Sequence, residues 1–250
     1  MEKRTIATSM KAALVAAFAA LYLILSILPG IPVVGFPAIK IEFEAALASV
    51  MGLVLGPYLG GLAALLGTVL AFVFPPGAGI FGLPFIFNPA FNALVTGLIF
   101  KGRWRIALAL FAAVVASFFV SPVPHPLAQY WRVGLAATFD KVAALILILP
   151  AAILLARKGS SVKSEAKPLT LSFGLLLLLA FIGNEADNAL GVALFAMPPI
   201  YNGVYGLNLE VVRGLFLVSP FVYPAIRALQ AVAAALIGLP LLKAVRALGR

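Results

Sequence analysis

The stretch 169–197, LTLSFGLLLLLAFIGNEADNALGVALFAM, decides the fold of this chain. It is long enough to cross a bilayer, because a transmembrane helix needs about 20 predominantly apolar residues. Its centre carries Asn184, Glu185, Asp187 and Asn188. A charge at that depth costs roughly 2.5 to 3.5 kcal/mol on the insertion scale, so such residues usually face a partner, a cavity or a ligand. The stretch therefore predicts a membrane helix whose polar residues are the first candidates for function.

Composition extends this interpretation to the whole chain. Of 250 residues, 64% are hydrophobic and 10% are charged, whereas soluble domains carry about 25% charged residues. We predict a multi-pass protein of the cell membrane, with residues 1–250 forming a single transmembrane domain. Its only linker-like segment is the polar stretch 157–168, which we expect on the cytoplasmic side.

Basic residues predict the orientation. Most of the 18 Lys and Arg residues flank apolar segments rather than forming a folded basic face with aromatics, which argues against nucleic-acid binding. By the positive-inside rule, both termini and the loops near 101–105 and 157–168 are cytoplasmic. The residues that mark this side are Lys3, Arg4, Lys11, Lys101, Arg103, Arg105, Arg157, Lys158, Lys163, Lys167, Lys243, Arg246 and Arg250.

Two counts of membrane crossings are consistent with these loops. The fold class in both is all-α, a helical bundle with six core transmembrane helices and up to eight crossings. If 43–74 is a hairpin that enters and leaves from one face, the count is six rather than eight. The predicted apolar segments are 6–29, 43–57, 59–74, 84–100, 106–122, 131–156, 169–197 and 210–245.

Helical spacing arranges the polar residues into a candidate pocket. Asn184, Asp187, Asn188 and Gly191 fall at i, i+3, i+4 and i+7 and share one stripe, from which Glu185 is turned by about 100°.

In the last apolar segment, Tyr223, Arg227 and Gln230 share a face, and Arg227 lies at the depth of Asp187. An ion pair between them is therefore feasible. Two interpretations stay open: the pair only joins two helices, or it lines a water-accessible cavity for a ligand. The surplus of polar groups favours the cavity, because each buried polar group needs a hydrogen bond or water.

Two further pairs are candidates for lining this pocket. Asn88 and Asn92 share a face at the outer end of their segment, and Asp140 and Lys141 lie inside another. Because adjacent residues on a helix point apart, we expect Asp140 and Lys141 to have separate partners.

Catalytic and metal chemistry find little support in the sequence. The chain has no cysteine and one histidine, so we predict no metal site. Glu185 and Asp187 diverge on a helix and form no acid–base pair, and no glycine-rich phosphate loop with lysine occurs. We therefore predict that the chain is not an enzyme, binds no cofactor and has no ATP site of its own.

The first apolar segment carries a column of small residues. Ala12, Ala16 and Ala20 recur every four residues. Small residues let membrane helices approach closely, so this strip is a candidate docking face for another helix, in this chain or in a partner.

Several segments together resemble the substrate-binding S components of energy-coupling factor (ECF) vitamin transporters. The first 75 or so residues carry most of the resemblance, through an alanine-rich first helix, an outer loop and a glycine-rich junction. The segments are MKAALVAAFAALY (10–22), PGIP (29–32), KIEF (40–43), GLVLGPYLGG (52–61) and, less specifically, GNEADNALG (183–191) and PAIR (224–227).

The resemblance implies a protein that binds a vitamin or related micronutrient on its outer side. It implies that Ala12, Ala16 and Ala20 dock on a transmembrane coupling (T) subunit, which two cytoplasmic ATPase subunits drive with ATP. Members commonly have six helices, whereas the charge pattern here favours eight.

Two other functions remain as alternatives. A stand-alone ion-coupled secondary transporter would use Asp187, Glu185 and Asp140 as proton or sodium sites. An intramembrane enzyme would use Glu185 or Asp187 as a base on a lipid-linked substrate.

Overall fold

The computed structural model describes residues 8–28, 31–33, 36–41, 44–74, 82–161 and 172–248. Within these ranges the fold is helical apart from one short hairpin, which agrees with the predicted class. The α-helices are α1 (Thr8–Ile27), α2 (Glu44–Leu55), α3 (Pro57–Val73), α4 (Asn88–Phe100), α5 (Trp104–Phe118), α6 (Leu127–Ser161), α7 (Phe173–Phe195), α8 (Pro198–Tyr201), α9 (Leu209–Val218) and α10 (Tyr223–Leu248). Single 3-10 turns lie at Leu83–Phe85 and Ser219–Phe221.

Five segments of the described chain are long and apolar enough to cross a membrane, which supports a membrane protein. They contain α1, α4, α6, α7 and α10. Shorter apolar helices are α2, α3 and α5. With 12 residues, α2 is about 18 Å long and does not by itself span a hydrocarbon core of about 30 Å.

Helices α2 and α3 form a tight helical hairpin. Gly56, between them, has a φ of 84°, a conformation that favours glycine, and Pro57 begins α3. A Cβ on Gly60 would lie only 2.6 Å from the carbonyl oxygen of Met51, so the two helices pack with their backbones nearly in contact. The two crossing counts, six and eight, differ in how this hairpin lies in the membrane, and both stay predictions.

The prediction that 210–245 forms one membrane-crossing element is wrong. It contains two helices, α9 and α10, separated by the 3-10 turn Ser219–Phe221. Pro220 in this turn and Pro224 in the first turn of α10 lack the N–H groups that a continuous helix would need.

The predicted linker also begins too early. Residues 157–161 continue α6, so only its remainder can be a linker, and that part lies outside the described residues. The predicted cytoplasmic ends of the chain, 1–7 and 249–250, also lie outside them.

A two-stranded antiparallel ribbon lies between α1 and α2, where the sequence predicted a loop. Strand β1 (Ile31–Val33) pairs with β2 (Phe36–Ile41), with Ile31 opposite Ile41. Pairing in this way satisfies backbone groups that a plain loop would leave to water.

Helix α7 lies at the centre of the bundle. It packs against α2, α4, α5, α6 and α10, and residues such as Leu176, Leu179 and Ile182 are fully buried in the main hydrophobic core. The polar residues in the middle of α7 are therefore surrounded by other helices rather than by lipid.

A buried arginine outside the predicted site fastens α9 to the connection between α5 and α6. The Arg213 guanidinium donates to the carbonyl oxygens of Val123 at 3.0 Å and His125 at 2.6 Å. It also lies over the ring of Tyr130 and pairs with Glu210. These contacts account for its burial without a ligand.

Candidate functional site

All four polar residues at the centre of α7 are buried. The exposed fractions of Asn184, Glu185, Asp187 and Asn188 are 0%, 0%, 6% and 5%. The sequence placed Glu185 outside the polar stripe, but the central position of α7 buries that side of the helix as well. Polar groups therefore point from α7 toward several neighbours at the same depth.

The first group, which we call the amide cluster, consists of Ser49, Asn92, Thr96 and Asn184. Asn92 Nδ2 donates to Asn184 Oδ1 at 2.9 Å. Asn92 Oδ1 accepts from Ser49 Oγ at 2.7 Å and from Thr96 Oγ1 at 3.2 Å. These buried hydrogen bonds join α2, α4 and α7 at one point.

Gly183 makes room for the amide cluster. A Cβ at this position would lie 2.1 Å from Thr96 Oγ1, 2.3 Å from Asn92 Oδ1 and 3.0 Å from Ser49 Oγ. Such distances are far inside van der Waals contact, so only glycine fits without displacing the cluster.

The second group, the ionic cluster, consists of Asp140, Lys141, Glu185, Asp187 and Arg227. Asp140 and Lys141 pair with each other, with Lys141 Nζ 2.8 Å from Asp140 Oδ1. The expectation that they have separate partners is wrong, because the flexible lysine chain folds back toward its neighbour. Both side chains are almost fully buried.

An ion pair joins α7 and α10. Arg227 Nη2 lies 3.8 Å from Asp187 Oδ1, which is longer than a hydrogen bond. Arg227 Nη1 donates to Gln230 Oε1 at 2.8 Å. Arg227 therefore has one partner on its own helix, Gln230, and one on α7, Asp187.

Glu185 interacts with members of both ion pairs. It is close enough to interact electrostatically with Asp140, Lys141 and Arg227. Its Oε2 accepts a long hydrogen bond of 3.4 Å from Asn188 Nδ2. The ionic cluster thus contains three acidic and two basic side chains, and among the described residues Glu185 is the carboxylate of the three that forms no ion pair.

Buried polar atoms without a partner are concentrated here. Within the part of the chain that the structure describes, four buried side-chain atoms lack a hydrogen bond, and all four belong to residues that the sequence selected. They are Asn88 Oδ1, Asn184 Nδ2, Glu185 Oε1 and Arg227 Nε. Native interiors rarely leave such groups unpaired, so each of these atoms requires an explanation.

The remaining candidates border these two clusters. Asn88 begins α4, and its Nδ2 approaches α7 so closely that a Cβ on Gly191 would lie 2.8 Å away. Tyr223 is half-buried at the start of α10, one turn before Arg227. The structure thus brings Asn88 and Asn92 of α4 against Gly191 and Asn184 of α7.

Helix α1 lies away from both clusters and divides into two faces. Val15, Phe18 and Tyr22 are buried, and a Cβ on Gly67 of α3 would lie 2.6 Å from Tyr22 Cβ. A second face, which carries Ala12, Ala16 and Ala20, is exposed on the surface of the chain.

Sequence reasoning missed two members of the amide environment. Ser49 is a polar interruption in the apolar helix α2, a signal that could have selected it. The role of Gly183 has no signal of its own, because the clearance that it provides depends on α2 and α4. No group of three His, Cys, Asp or Glu residues suited to a metal ion occurs among the described residues.

Comparisons with known proteins add little to this geometry. No protein-family model matches the chain, and no solved structure matches it. The chain is similar to a protein of Methanocaldococcus jannaschii named Uncharacterized protein MJ0923, with 28% identity over 110 residues. The aligned part is 44% of this chain and spans about a third (35%) of that relative.

Proposed function

We propose that this chain is the substrate-binding S component of an ECF-type ABC importer. It captures a vitamin-like small molecule from outside and delivers it inward by docking on a transmembrane coupling subunit. Two separate cytoplasmic ATPases hydrolyse the ATP, and the chain itself catalyses no reaction. The family resemblance supplies this framework, and the buried clusters and α1 support it.

The observation that carries the proposal is the set of four unpartnered atoms around α7. Two are acceptors, Asn88 Oδ1 and Glu185 Oε1, and two are donors, Asn184 Nδ2 and Arg227 Nε. Leaving such a group buried and unpaired costs about 1 to 3 kcal/mol. A contact that only joined helices would gain nothing from them, whereas a bound polar molecule would satisfy them.

This arrangement also defines the ligand in chemical terms. The molecule should offer hydrogen-bond donors to Asn88 and Glu185 and acceptors to Asn184 and Arg227. A small heterocycle or amide with both kinds of group fits, and a purely hydrocarbon molecule does not.

The docking part of the proposal is supported by α1. Its buried face is used by the chain itself, while the face with Ala12, Ala16 and Ala20 remains available. A smooth alanine surface allows the backbone of a partner helix to approach closely in lipid.

Identification of co-purifying small molecules tests the capture function. We expect protein purified in mild detergent to release, on denaturation, a polar compound with both donors and acceptors that mass spectrometry identifies. The compound should rebind the emptied protein and raise its melting temperature. A folded protein that releases no such compound, and whose melting temperature no vitamin in a panel raises, would contradict the proposal.

Replacing Arg227 with alanine should weaken binding of the released compound. A hydrogen bond between the guanidinium and the ligand, as to any charged group, contributes about 1.5 to 3 kcal/mol, so the dissociation constant should rise at least roughly tenfold. Calorimetric titration of purified wild-type and variant protein measures this. Arg105→Ala, which removes an exposed arginine away from the cluster, is the matched control. Equal affinities of the wild-type and Arg227→Ala proteins would mean that Arg227 only joins helices.

A second candidate function, the ion-coupled secondary transporter, is favoured by the charge balance of the ionic cluster. Its excess of one acid suits a proton or sodium ion near Glu185. Uptake by the purified chain alone in vesicles, driven by an ion gradient and lost in Glu185→Gln, would establish this function. Uptake that requires the coupling subunit and ATPases would exclude it.

A further inference from the structure

A shallow apolar groove lies on the surface of the chain between α3 and α4. Its walls include Gly61, Leu62 and Leu65 of α3, Phe91 and Leu94 of α4, and Phe87 directly before α4. None of the residues of the amide and ionic clusters lines it. The groove is therefore separate from the candidate binding site.

The groove runs along the two antiparallel helices and ends where α3 begins. A Cβ on Gly97 would lie 2.6 Å from the nitrogen of Pro57, which places the start of α3 beside the end of α4. Tyr58 lines this end of the groove, and the residue is 65% exposed. Amphipathic tyrosines of this kind are typical of the boundary between hydrocarbon and headgroups.

Two basic side chains stand at the same end. Arg103 Nη1 donates to the hydroxyl oxygen of Tyr58 at 3.2 Å, and Lys101 Cε lies 3.5 Å from the Cβ position of Gly56. Both bases are exposed, and neither forms an ion pair with another residue that the structure describes. The groove is thus apolar along its length and positively charged at one end.

We propose that this groove binds one anionic phospholipid, with an acyl chain between α3 and α4 and the phosphate held by Lys101 and Arg103. The apolar walls of the groove would cover part of the hydrocarbon surface of the lipid's acyl chain. Arginine and lysine at a membrane surface bind phosphate oxygens through charge-assisted hydrogen bonds. A zwitterionic phospholipid also has an acyl chain that fits the groove. Its headgroup carries a positive charge as well as the phosphate, so it complements Lys101 and Arg103 less well. The lipid site does not depend on the proposed transport function.

Native mass spectrometry of the purified chain tests the site. The protein is equilibrated with equal amounts of phosphatidylglycerol and phosphatidylcholine that carry the same acyl chains, and the lipids retained after mild activation are counted. We expect the wild-type protein to retain one phosphatidylglycerol at least about fivefold more often than phosphatidylcholine, as expected when two bases bind one phosphate. Equal retention of the two lipids would overturn the proposal.

Two variants separate the headgroup site from the groove. Lys101→Gln with Arg103→Gln should remove the preference for phosphatidylglycerol, while Arg105→Gln with Lys243→Gln, which changes the net charge equally at exposed positions, should keep it. Gly61→Phe should lower retention while leaving both bases in place, because the nearest atom to its Cβ is Ala90 O at 3.4 Å and the ring would extend into the groove.

The variants also distinguish a lipid from a protein occupant. Elution as one symmetric peak in size-exclusion chromatography shows that a variant is folded. If Gly61→Phe keeps the selective lipid but no longer assembles with the coupling subunit, the groove is a protein contact and the lipid proposal is wrong. If Gly61→Phe does not fold, the Lys101 and Arg103 double variant decides: retained selectivity overturns the site, and lost selectivity supports it.

Discussion

Replacing Gly183 with alanine is expected to destabilise the protein and to abolish ligand binding. The new methyl group would lie 2.1 Å from Thr96 Oγ1 and 2.3 Å from Asn92 Oδ1, so the amide cluster would have to separate. Overpacking costs about 1 to 3 kcal/mol, and a buried polar group that loses its partner costs about 1 to 3 kcal/mol more. Because Asn184 is bonded to Asn92, the displacement would also move a proposed ligand-binding residue.

Thermal unfolding followed by size-exclusion chromatography in detergent measures this effect. A loss of several kcal/mol in a chain of this size lowers the apparent melting temperature by roughly 5 to 15 °C. Gly174→Ala is the matched control, since it lies on the same helix and its Cβ would meet nothing within 4 Å. Alanine favours helix over glycine, so the control should be neutral or slightly stabilising. Equal melting temperatures for the two variants would show that α7 is not tightly packed against Asn92 and Thr96.

Replacing Ala16 with tryptophan is expected to abolish assembly with the coupling subunit while leaving ligand binding intact. Ala16 is exposed, and α1 packs on α3 through a different face that includes Tyr22, so the fold should accept the larger side chain. A partner helix that packs closely on an alanine surface has no room for an indole.

Co-purification with the coupling subunit and both ATPases measures assembly, and binding of the released small molecule to the isolated chain shows that the site is intact. Ile146→Trp is the control, because Ile146 is 67% exposed on α6 rather than on α1. We expect normal assembly of the control and at least tenfold less of the Ala16 variant, the effect of about 1.4 kcal/mol or more. Assembly of Ala16→Trp at the wild-type level would show that partners do not dock on this face.

The polar residues of α7 illustrate what could be predicted from sequence. Asn184, Asp187 and Asn188 were recognisable because polar groups in a hydrocarbon-like segment are costly, and matching depth made a pair between Asp187 and Arg227 feasible. The pairing of Asp140 with Lys141 could not be predicted from helical geometry, because it depends on the flexibility of the lysine chain inside a crowded core. The break between α9 and α10 was missed, although Pro220 and Pro224 signal it.

By itself, the sequence determined that the chain belongs in a membrane, that its fold is helical and that α7 and α10 carry buried ionic groups, because composition and spacing act locally along the chain. Only the tertiary structure decided which groups meet. It assembled Ser49, Asn92, Thr96 and Asn184 from three helices around the space left by Gly183, and it left the alanine face of α1 uncovered. The physical reason is that hydrogen bonding and close packing depend on distances between distant parts of the chain, and those distances exist only after the helices have packed.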